Sequence, residues 1–386
     1  MPAVDISPVE SRRDRRAFLD LPFELYRDDP NWIPRLRHSE GQLVGYHRHP
    51  FHEIAQVQTF LARQNGVPCG RIAAIDNRHY NQYYGQSRGF FGFFESVRDP
   101  AVAHGLFDAA RAWLAQRGID ELRGPVNPSM NYDCGLLIDG FDSPPTFMMP
   151  YNPPWYAELV ESYGFERVED LHAYLGEVSQ LPAAESKLGR IADQVSERFE
   201  AKVRPVNKRH FTRDVSLFLE EYNKAMVQTW DFLPITPGEM REMASTLRFL
   251  LIPELTLIVE VDGQPEGVVL GLPDYNPVIR QIRGRLLPLG FVRLLWSKRK
   301  LRRMRVLAIS VSPEFQRFGL GLVLMRAMVP KAIEMGYCEA EFSYVVESNH
   351  LAIMGLQKGG ARLYKEYRMY DYRPGPVNAP ATSPPA

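Results

Sequence analysis

The chain is poor in cysteine and has no secretory leader pattern. Three cysteines occur in 386 residues, and no C-x-x-C pair brings two of them together. This scarcity is typical of a reducing compartment and argues against a disulfide framework or a cysteine-rich zinc site. The first sixteen residues are polar and lack an apolar core, so we expect no signal peptide and a cytoplasmic protein.

Long apolar runs and common nucleotide-binding motifs are also missing. No stretch of about 18 uncharged apolar residues occurs, so no segment is expected to span a membrane. The glycine spacing does not match G-x-G-x-x-G, and no Gly-Lys-Ser/Thr follows, which weakens a Rossmann or P-loop interpretation. His47, His49 and His52 have no helical ligand spacing, and Pro50 interrupts any helix, so we predict a surface loop and no metal.

Acidic residues are absent from one segment, 278–305, which we call the basic insertion. It contains ten basic residues, although the 46 basic and 46 acidic residues of the whole chain balance. Leucine, phenylalanine and tryptophan alternate with these cations, a pattern typical of proteins that lie on an anionic membrane surface. A solvated helix rich in arginine is one alternative. RNA binding is another, but no RNA-binding motif accompanies the insertion, so we expect no nucleic-acid partner.

The stretch Arg305–Gly321 combines a strand, a glycine-bearing turn and a helix start. Val306–Val311 is an apolar, β-branched run that predicts a buried strand, and Pro313 ends it. Gln316-Arg317-Phe318-Gly319-Leu320-Gly321 then leads into a helical pattern. Unpaired N–H groups and the helix dipole attract an anion there, and glycine lets a phosphate approach the backbone. The stretch therefore predicts a phosphate site.

This turn resembles the acetyl-CoA-binding turn of the GNAT acyltransferase superfamily, where Gln/Arg-x-x-Gly-x-Gly/Ala holds the pyrophosphate of coenzyme A. The resemblance implies acyl-CoA as co-substrate and no metal. It also implies a thioester beside the central strand, whose carbonyl is polarised by a main-chain N–H. The cofactor contacts that it implies are Ile309, Ser310, Val311, Gln316, Arg317, Phe318, Gly319, Leu320, Gly321 and Asn349.

Both halves of the chain share the order hairpin, strand, helix, strand, helix, strand, which is the GNAT order. Asn65-Gly66 and Asp262-Gly263 mark the two hairpin turns. The first half has no Q-x-x-G-x-G. We therefore predict an α/β fold (an α+β mixed sheet) made of tandem GNAT folds, the N-terminal one degenerate. The predicted divisions are a loose arm at 1–16 within domain 1–180, a catalytic domain 181–373, and a disordered tail 374–386.

Amine attack on a thioester requires a base, because the amine arrives as an ammonium. Glu347, at the end of the predicted strand EFSYVVESN, is our first candidate; a solvated carboxylate is the alternative. Asn349 begins the next helix and can serve both as its cap and as the pantetheine contact that the resemblance implies. Many family members carry a general-acid tyrosine on that helix, but Leu356 or a neighbour stands there. Tyr344, Tyr364 and Tyr367 are substitutes for it, and packing rather than catalysis is the alternative for each.

Two further regions predict acceptor contacts. Pro-bounded loops around Asn127 and around Tyr151-Asn152 are rich in hydrogen-bonding groups, and such loops often line sites. A packed domain joint is the alternative for both loops. Trp230 and Phe232 lie between the first two helices of the second half, where the resemblance implies a wall of the acceptor pocket.

Several phrases, among them GRIAAID, GPVNPS and YNPPWY, resemble a group of bacterial tandem-GNAT proteins that includes the bacterial ceramide synthases. The resemblance implies transfer of a fatty acyl group from acyl-CoA to the amine of a sphingoid base, in a ternary complex. The partners would be acyl-CoA, a lipid amine and, through 278–305, the inner face of an anionic membrane. An acetyltransferase acting on a small soluble amine or peptide is one alternative. A non-catalytic module that binds CoA or lipid is the other.

Overall fold

Strands and helices alternate along the first half largely as the hydrophobic patterns predict. The structure, a computed structural model, describes residues 3–298 and 300–374. The first-half elements are β1 (Val4–Pro8), α1 (Arg12–Leu25), α2 (Arg37–Leu43), α3 (Phe51–Ile54), β2 (Ala55–Gln64), β3 (Val67–Asn77), α4 (Arg78–Tyr84), β4 (Arg88–Ser96), α5 (Pro100–Ala115), β5 (Glu121–Gly124), β6 (Val126–Asn127), β7 (Asp133–Cys134), β8 (Leu136–Asp139), α6 (Tyr156–Ser162) and β9 (Glu166–Glu177).

The second half repeats the order after one additional helix that joins the halves. Its elements are α7 (Leu181–Arg198), β10 (Lys202–Pro205), α8 (Phe211–Met226), α9 (Pro237–Leu250), β11 (Thr256–Val261), β12 (Gln264–Pro273), α10 (Asn276–Gln281), α11 (Gly290–Ser297), β13 (Arg303–Val311), α12 (Pro313–Gln316), α13 (Leu320–Glu334), β14 (Glu339–Val346), α14 (His350–Lys358) and β15 (Arg362–Tyr372).

Local chemistry explains where these elements turn and begin. Both predicted hairpins form, and their turn residues Asn65-Gly66 and Asp262-Gly263 all have positive φ, as a tight two-residue turn between twisted strands requires. Helix α9 begins at a capping box in which the side chains of Thr236 and Glu239 satisfy each other's backbone N–H groups.

Among the described residues, thirteen strands form one mixed sheet in the order β1-β2-β3-β4-β5-β15-β9-β14-β13-β12-β11-β10, with β8 also beside β15. The two halves exchange their last strands. Strand β15 pairs with β5 of the first half, whereas β9 pairs with β14 of the second half. The predicted α/β tandem fold is confirmed. The division at 180/181 stays a prediction, and the sheet runs continuously across it.

Each half contains one parallel pair at its centre, and in both the two strands part after a few residues. Strand β13 is parallel to β14 from Arg303 to Val306; beyond that point β14 keeps only its antiparallel partner β9, which lies along its other edge. Strand β13 continues beside β12 as far as Val311, so its segment Leu307–Val311 has one edge without a neighbouring strand. The two strands therefore diverge as a V in the second half.

The corresponding V of the first half is filled by the chain itself. The N–H of Phe93 on β4 donates to Asn127 Oδ1 at 2.6 Å. A Cβ on Gly92 would lie 1.6 Å from the carbonyl oxygen of Val126, so only glycine permits this close approach. Residues 126–127 thus lie against β4 at the place that corresponds to the open edge of the second half. This explains physically why the N-terminal fold is degenerate.

Two details of the predicted first half are wrong, and one prediction falls outside the described residues. Residues 4–8 form an edge strand on β2, and α1 starts within the predicted loose arm, with Ser11 accepting from the Asp14 N–H at 3.1 Å. His49 is buried rather than on a surface loop. Of the predicted tail, residues 375–386 lie outside the described part of the chain.

Candidate functional site

The site is built around the diverging strands β13 and β14. Ile309 is 36% exposed although it lies in the middle of a sheet, because no strand covers that edge of β13. Main-chain groups on such an edge can pair with an extended ligand, as a neighbouring strand would. Ser310 is buried, and its hydroxyl has no partner among the described residues.

Arg305 holds the base of this V together. Its side chain is buried and donates to Ser343 Oγ at 2.9 Å and to the Ser343 carbonyl at 3.1 Å. It also donates to the carbonyls of Phe147 at 3.0 Å and Met148 at 2.9 Å, on a first-half loop. Sequence reasoning placed Arg305 among the cations of the membrane-facing insertion; this is wrong, because its guanidinium satisfies backbone groups in the interior.

The predicted phosphate turn follows the end of β13. Gly319 has φ +85°, a conformation that side chains with a Cβ rarely adopt, and it immediately precedes α13. The Gln316 amide donates to the carbonyls of Val311 at 3.0 Å and Ala225 at 3.3 Å, which fixes the turn to β13 and α8. A Cβ on Gly321 would point at Ile309 and Val311, at 3.5 and 3.8 Å from their Cγ2 atoms. Room for an anion therefore lies where the helix starts beside the open strand edge.

One large cavity joins this turn to the first half. Its volume is about 1700 Å³, and its lining is mostly apolar. It extends from the V and the glycine turn, past α8 and the loop before α9, to first-half loops at 33–43, 130–134 and 147–149. The exchanged strand β9 and these loops thus complete a cavity whose cofactor end belongs to the second half.

The structure brings most of the predicted cofactor contacts to this cavity. Leu320 is fully buried, and Phe318 packs outward against Phe199, with ring centroids 5.3 Å apart. Neither of these two side chains lines the cavity. The predicted cofactor residues that do line it are Ile309, Ser310, Val311, Gln316, Arg317, Gly319, Gly321 and Asn349.

Two of the three catalytic candidates line the cavity, and the third does not. Tyr344 and Asn349 line the cavity, and Asn349 caps α14 by accepting from the Ala352 N–H at 3.2 Å. The Tyr344 hydroxyl donates to the Cys134 carbonyl at 2.9 Å, and burial raises its pKa well above the usual value, so it stays protonated. The side chain of Glu347 is 46% exposed, forms an ion pair with Arg167 and lies outside the lining. Its role as a base stays a prediction.

Of the predicted acceptor contacts, Trp230 and Phe232 line the cavity. The other three lie outside it and bond to protein groups. Asn152 Oδ1 accepts from the Leu137 N–H at 2.7 Å, Tyr151 donates to Asp29 at 3.0 Å, and Asn127 bonds the β4 backbone as described above. A substrate role for Asn127, Tyr151 and Asn152 stays a prediction.

The basic insertion forms an exposed surface of mixed character. Helix α11 presents Trp296, which is 81% exposed, and the preceding loop presents Leu287, which is 83% exposed. Phe291 packs edge-on against Phe249 at 5.7 Å. The exposed cations around these apolar groups are Arg280, Arg283, Arg285, Arg293, Lys300 and Arg302. No helix in the described ranges is long and apolar enough to cross a bilayer.

The described residues contain no cluster of side chains that could serve as a metal site. No group of three or more histidine, cysteine, aspartate or glutamate side chains in residues 3–298 and 300–374 is placed to hold a metal ion. Within the histidine stretch, His52 Nε2 lies 2.7 Å from the Gln42 carbonyl, and His47 stacks on His38 with ring centroids 5.1 Å apart.

Comparison with known proteins gives consistent similarities. Residues 219–355 match the family model described as "Acetyltransferase (GNAT) family". The chain is 33% identical to Protein YghO of Escherichia coli over 94% of this chain and 93% of that protein. It is 32% identical to the bacterial ceramide synthase of Caulobacter vibrioides over 95% of this chain and 97% of that protein.

Solved structures show the same fold at low sequence identity. A tandem GNAT protein from the clavulanic acid biosynthesis pathway superposes with a TM-score of 0.58 at 11% identity, covering 97% of this chain and all of that one. A GCN5-related N-acetyltransferase from Sphaerobacter thermophilus gives a TM-score of 0.54 at 14% identity and covers 96% of both chains.

Proposed function

Since this chain belongs to the GNAT family of acyltransferases, we propose that it transfers a fatty acyl group from acyl-CoA to the amine of a sphingoid base. The coarser activity, an acyltransferase, follows from the family. The acyl donor, the lipid acceptor and the membrane attachment described below belong to the proposal.

The glycine turn fits the pyrophosphate of coenzyme A. The first turn of α13 offers backbone N–H groups and the positive end of a fifteen-residue helix. Gly319 supplies the left-handed backbone, and Gly321 leaves the approach open. Arg317 is exposed at the same turn, where it can add a charge-assisted contact to a phosphate.

The open edge of β13 fits the rest of the donor. Pantetheine amides can pair with Leu307–Val311 as a further strand would. A main-chain N–H of this segment then stabilises the negative charge that develops on the thioester oxygen. In the reaction the amine nitrogen bonds to the carbonyl carbon, and the carbon–sulfur bond breaks. The ammonium gives up one proton before attack, and a second proton from nitrogen leaves with the thiolate as thiol.

The cavity is the observation that carries the fatty-acyl assignment. Sites for small ligands usually measure about 300–1000 Å³, whereas this one measures about 1700 Å³. An acetyl group and a soluble amine would leave most of its apolar lining in contact with water. A long acyl chain and a long-chain amine would cover it, and each buried CH₂ contributes about 0.8 kcal/mol. The similarity to a bacterial ceramide synthase supports the same acceptor.

The surface of the basic insertion supports delivery of these amphiphiles from a membrane. Trp296 and Leu287 project beside six exposed cations, so apolar insertion and charge attraction act at one place. Apolar insertion together with charge attraction is sufficient for attachment to an anionic membrane surface. We propose attachment to the cytoplasmic face of such a membrane.

The test is a matrix of donors and acceptors. Purified protein is mixed with acetyl-CoA or with acyl-CoAs of increasing chain length, and with either long-chain amino diols or small soluble amines. Released thiol and the amide product are measured. We expect turnover with long-chain donors and lipid amines, and little with acetyl-CoA. Faster transfer of acetyl groups to soluble amines would replace this proposal with the soluble acetyltransferase, and absence of thiol release with every pair would favour a binding module.

A further inference from the structure

Asp231 is a buried carboxylate with one unused oxygen. It lies in the loop between α8 and α9, and its side chain is 4% exposed. Its Oδ1 accepts from the Tyr80 hydroxyl at 2.5 Å and from Arg123 Nη1 at 2.7 Å. Its Oδ2 is buried and has no hydrogen-bond partner among the described residues. Native structures leave few buried polar atoms in this state, so the free oxygen calls for a ligand.

Asp231 belongs to the lining of the large cavity. It stands between Trp230 and Phe232, and Phe232 packs on Tyr222 of α8 with ring centroids 5.8 Å apart. The Arg123 guanidinium lies over the Trp230 ring, 5.1 Å from its centroid, so this side of Asp231 already holds a cation and the free Oδ2 is the part left for a ligand. The amide Nδ2 of Asn131 is likewise buried, has no hydrogen-bond partner among the described residues, and belongs to a residue of the same lining. The wall therefore offers unused polar atoms within largely apolar surroundings.

Contacts connect Asp231 to the V where the thioester would lie. From the cofactor turn, Gln316 bonds the Ala225 carbonyl on α8, and the same helix carries Tyr222, which touches Phe232. From β14, the Tyr344 hydroxyl bonds the Cys134 carbonyl at 2.9 Å. Cys134 and Asp231 both belong to the lining of the cavity. Asp231 thus faces the same cavity as the V.

We infer that Asp231 Oδ2 binds the ammonium group of the acceptor amine. This inference rests on the proposed function, because it assigns a role within that acceptor pocket. A carboxylate oxygen accepts strong, charge-assisted hydrogen bonds from an ammonium, and the dry surroundings strengthen them. Asn131 can meet a neighbouring hydroxyl of an amino alcohol. The acceptor class is therefore a long-chain amine with a polar head.

The neighbouring charges leave Asp231 available for this task. Arg123 is held by Asp371 through two hydrogen bonds, at 2.6 and 2.8 Å, and gives only one bond to Asp231. Arg88 also lies 3.8 Å from Asp371. Burial raises the pKa of Asp231, and Arg123 and the Tyr80 hydrogen bond oppose the shift. Because Oδ2 has no partner among the described residues, an incoming ammonium can bond it while Oδ1 keeps its ion pair with Arg123.

The same cluster provides a matched control. Asp231→Asn keeps the shape and an oxygen for Tyr80 and Arg123, but it removes the charge. Glu121→Gln removes one carboxylate from the same arginine cluster, where Glu121 bonds Arg88 at 2.9 Å, at a residue outside the cavity lining, and it leaves Arg123 held by Asp371. Asp231→Glu restores the charge and shows whether rescue occurs if the asparagine variant folds poorly. Binding of a long-chain amino diol is measured by calorimetry, together with KM, the Kd for CoA and the Tm of each variant.

We expect Asp231→Asn to weaken amine binding and raise the KM for the amine by roughly tenfold to a hundredfold, the loss of a hydrogen bond between charged groups. The Kd for CoA should stay unchanged. Glu121→Gln should leave both amine parameters unchanged. An analogue with a hydroxyl in place of the amine should bind wild type and Asp231→Asn equally. Unchanged amine binding in folded Asp231→Asn, an equal loss in Glu121→Gln, or a wild type that binds no amine would overturn the inference.

These measurements separate the inference from the proposed function. If wild type acylates only small soluble amines, the lipid acceptor is wrong, and the Asp231 variants are judged on the soluble amine instead. If wild type binds the amino diol through Asp231 but releases no thiol, the catalytic proposal fails and the binding site stands.

Discussion

Gly321→Asp is the sharpest test of the phosphate turn. The residue is the second of α13, and a Cβ placed on it meets only ordinary contacts with Ile309 and Val311, the nearest at 3.5 Å. The variant should therefore fold. A carboxylate in the first turn also stabilises a helix by about 0.3–1 kcal/mol through its dipole, and replacing a helical glycine removes a backbone penalty of about 0.5–1 kcal/mol. We expect an unchanged or higher Tm.

The same carboxylate should exclude coenzyme A. It would lie at the helix start beside the open edge of β13, where the pyrophosphate is proposed to bind. Two like charges about 4 Å apart repel by about 4 kcal/mol at the effective dielectric of a protein surface. This corresponds to roughly a thousandfold weaker binding. Stability and affinity should thus change in opposite directions, which a variant that merely damages the fold cannot produce.

Calorimetric titration with CoA and thermal unfolding give the two quantities. Gly321→Ala and Gly321→Asn are the controls: the methyl group should leave the Kd within about threefold, and the amide should weaken binding by less than about tenfold. Gly319→Asp should also lose CoA, but its φ of +85° adds strain of about 1–2 kcal/mol, so it is the less clean variant. Unchanged CoA affinity in folded Gly321→Asp would refute the assignment of the turn.

Three further outcomes are expected. Burial lowers the pKa of Lys365 from its usual 10.5 to about 8. Below pH 8 the charged lysine therefore destabilises the folded state by about 3 kcal/mol. This penalty disappears as the pH rises from 8 to 10.5, because the side chain is then neutral in the folded state and loses its proton in the unfolded state too. The unfolding free energy of wild type minus that of Lys365→Met, from urea titrations, should therefore rise by up to about 3 kcal/mol across that window; a flat difference would contradict the shift. If Glu347 is the base, Glu347→Gln lowers kcat by about 10²–10⁴-fold with an unchanged Kd for CoA, whereas wild-type rates across pH 6–9 would remove it from the mechanism. Charge reversal on the basic insertion should release the protein from anionic vesicles, as measured by vesicle co-sedimentation at low salt. Reversal of the exposed Arg117 on the first half should leave the protein bound to the vesicles. Wild-type protein that stays in the supernatant would argue against the membrane role. The residues to reverse are Arg280, Arg283, Arg285 and Arg293.

The sequence predicts best what is determined within a few residues. The two Asx-Gly hairpins and the Gly319 turn follow from local backbone preferences, and all three form as expected. The prediction of a loose arm at residues 1–16 is wrong for two reasons. The polar composition gave no weight to Ser11 as a helix cap, and the strand at 4–8 forms only by pairing with β2. Charge counting alone gave Arg305 the same role as its exposed neighbours, although only the fold shows which backbone carbonyls surround it.

The site was predictable at its cofactor end and much less so at its acceptor end. The turn from Gln316 to Gly321 carries its own geometry, whereas the acceptor wall is assembled from distant loops. Asp231 stands between Trp230 and Phe232, which the sequence predicts as acceptor contacts. The local sequence does not indicate that one Asp231 oxygen has no partner among the described residues. The filled V of the first half is equally hidden, since it depends on Asn127 reaching the backbone of β4.

The exchange of the last strands has a consequence for how the chain can be made. A ribosome releases β5 long before β15, yet the edge of β5 is covered only when Arg362–Tyr372 arrives. At roughly 5–20 residues per second, this edge waits for tens of seconds. An open strand edge is a place for unwanted pairing with other chains. The nascent first half therefore carries an uncovered strand edge until synthesis is nearly complete, and a truncation that removes β15 is expected to harm the half that was synthesised first.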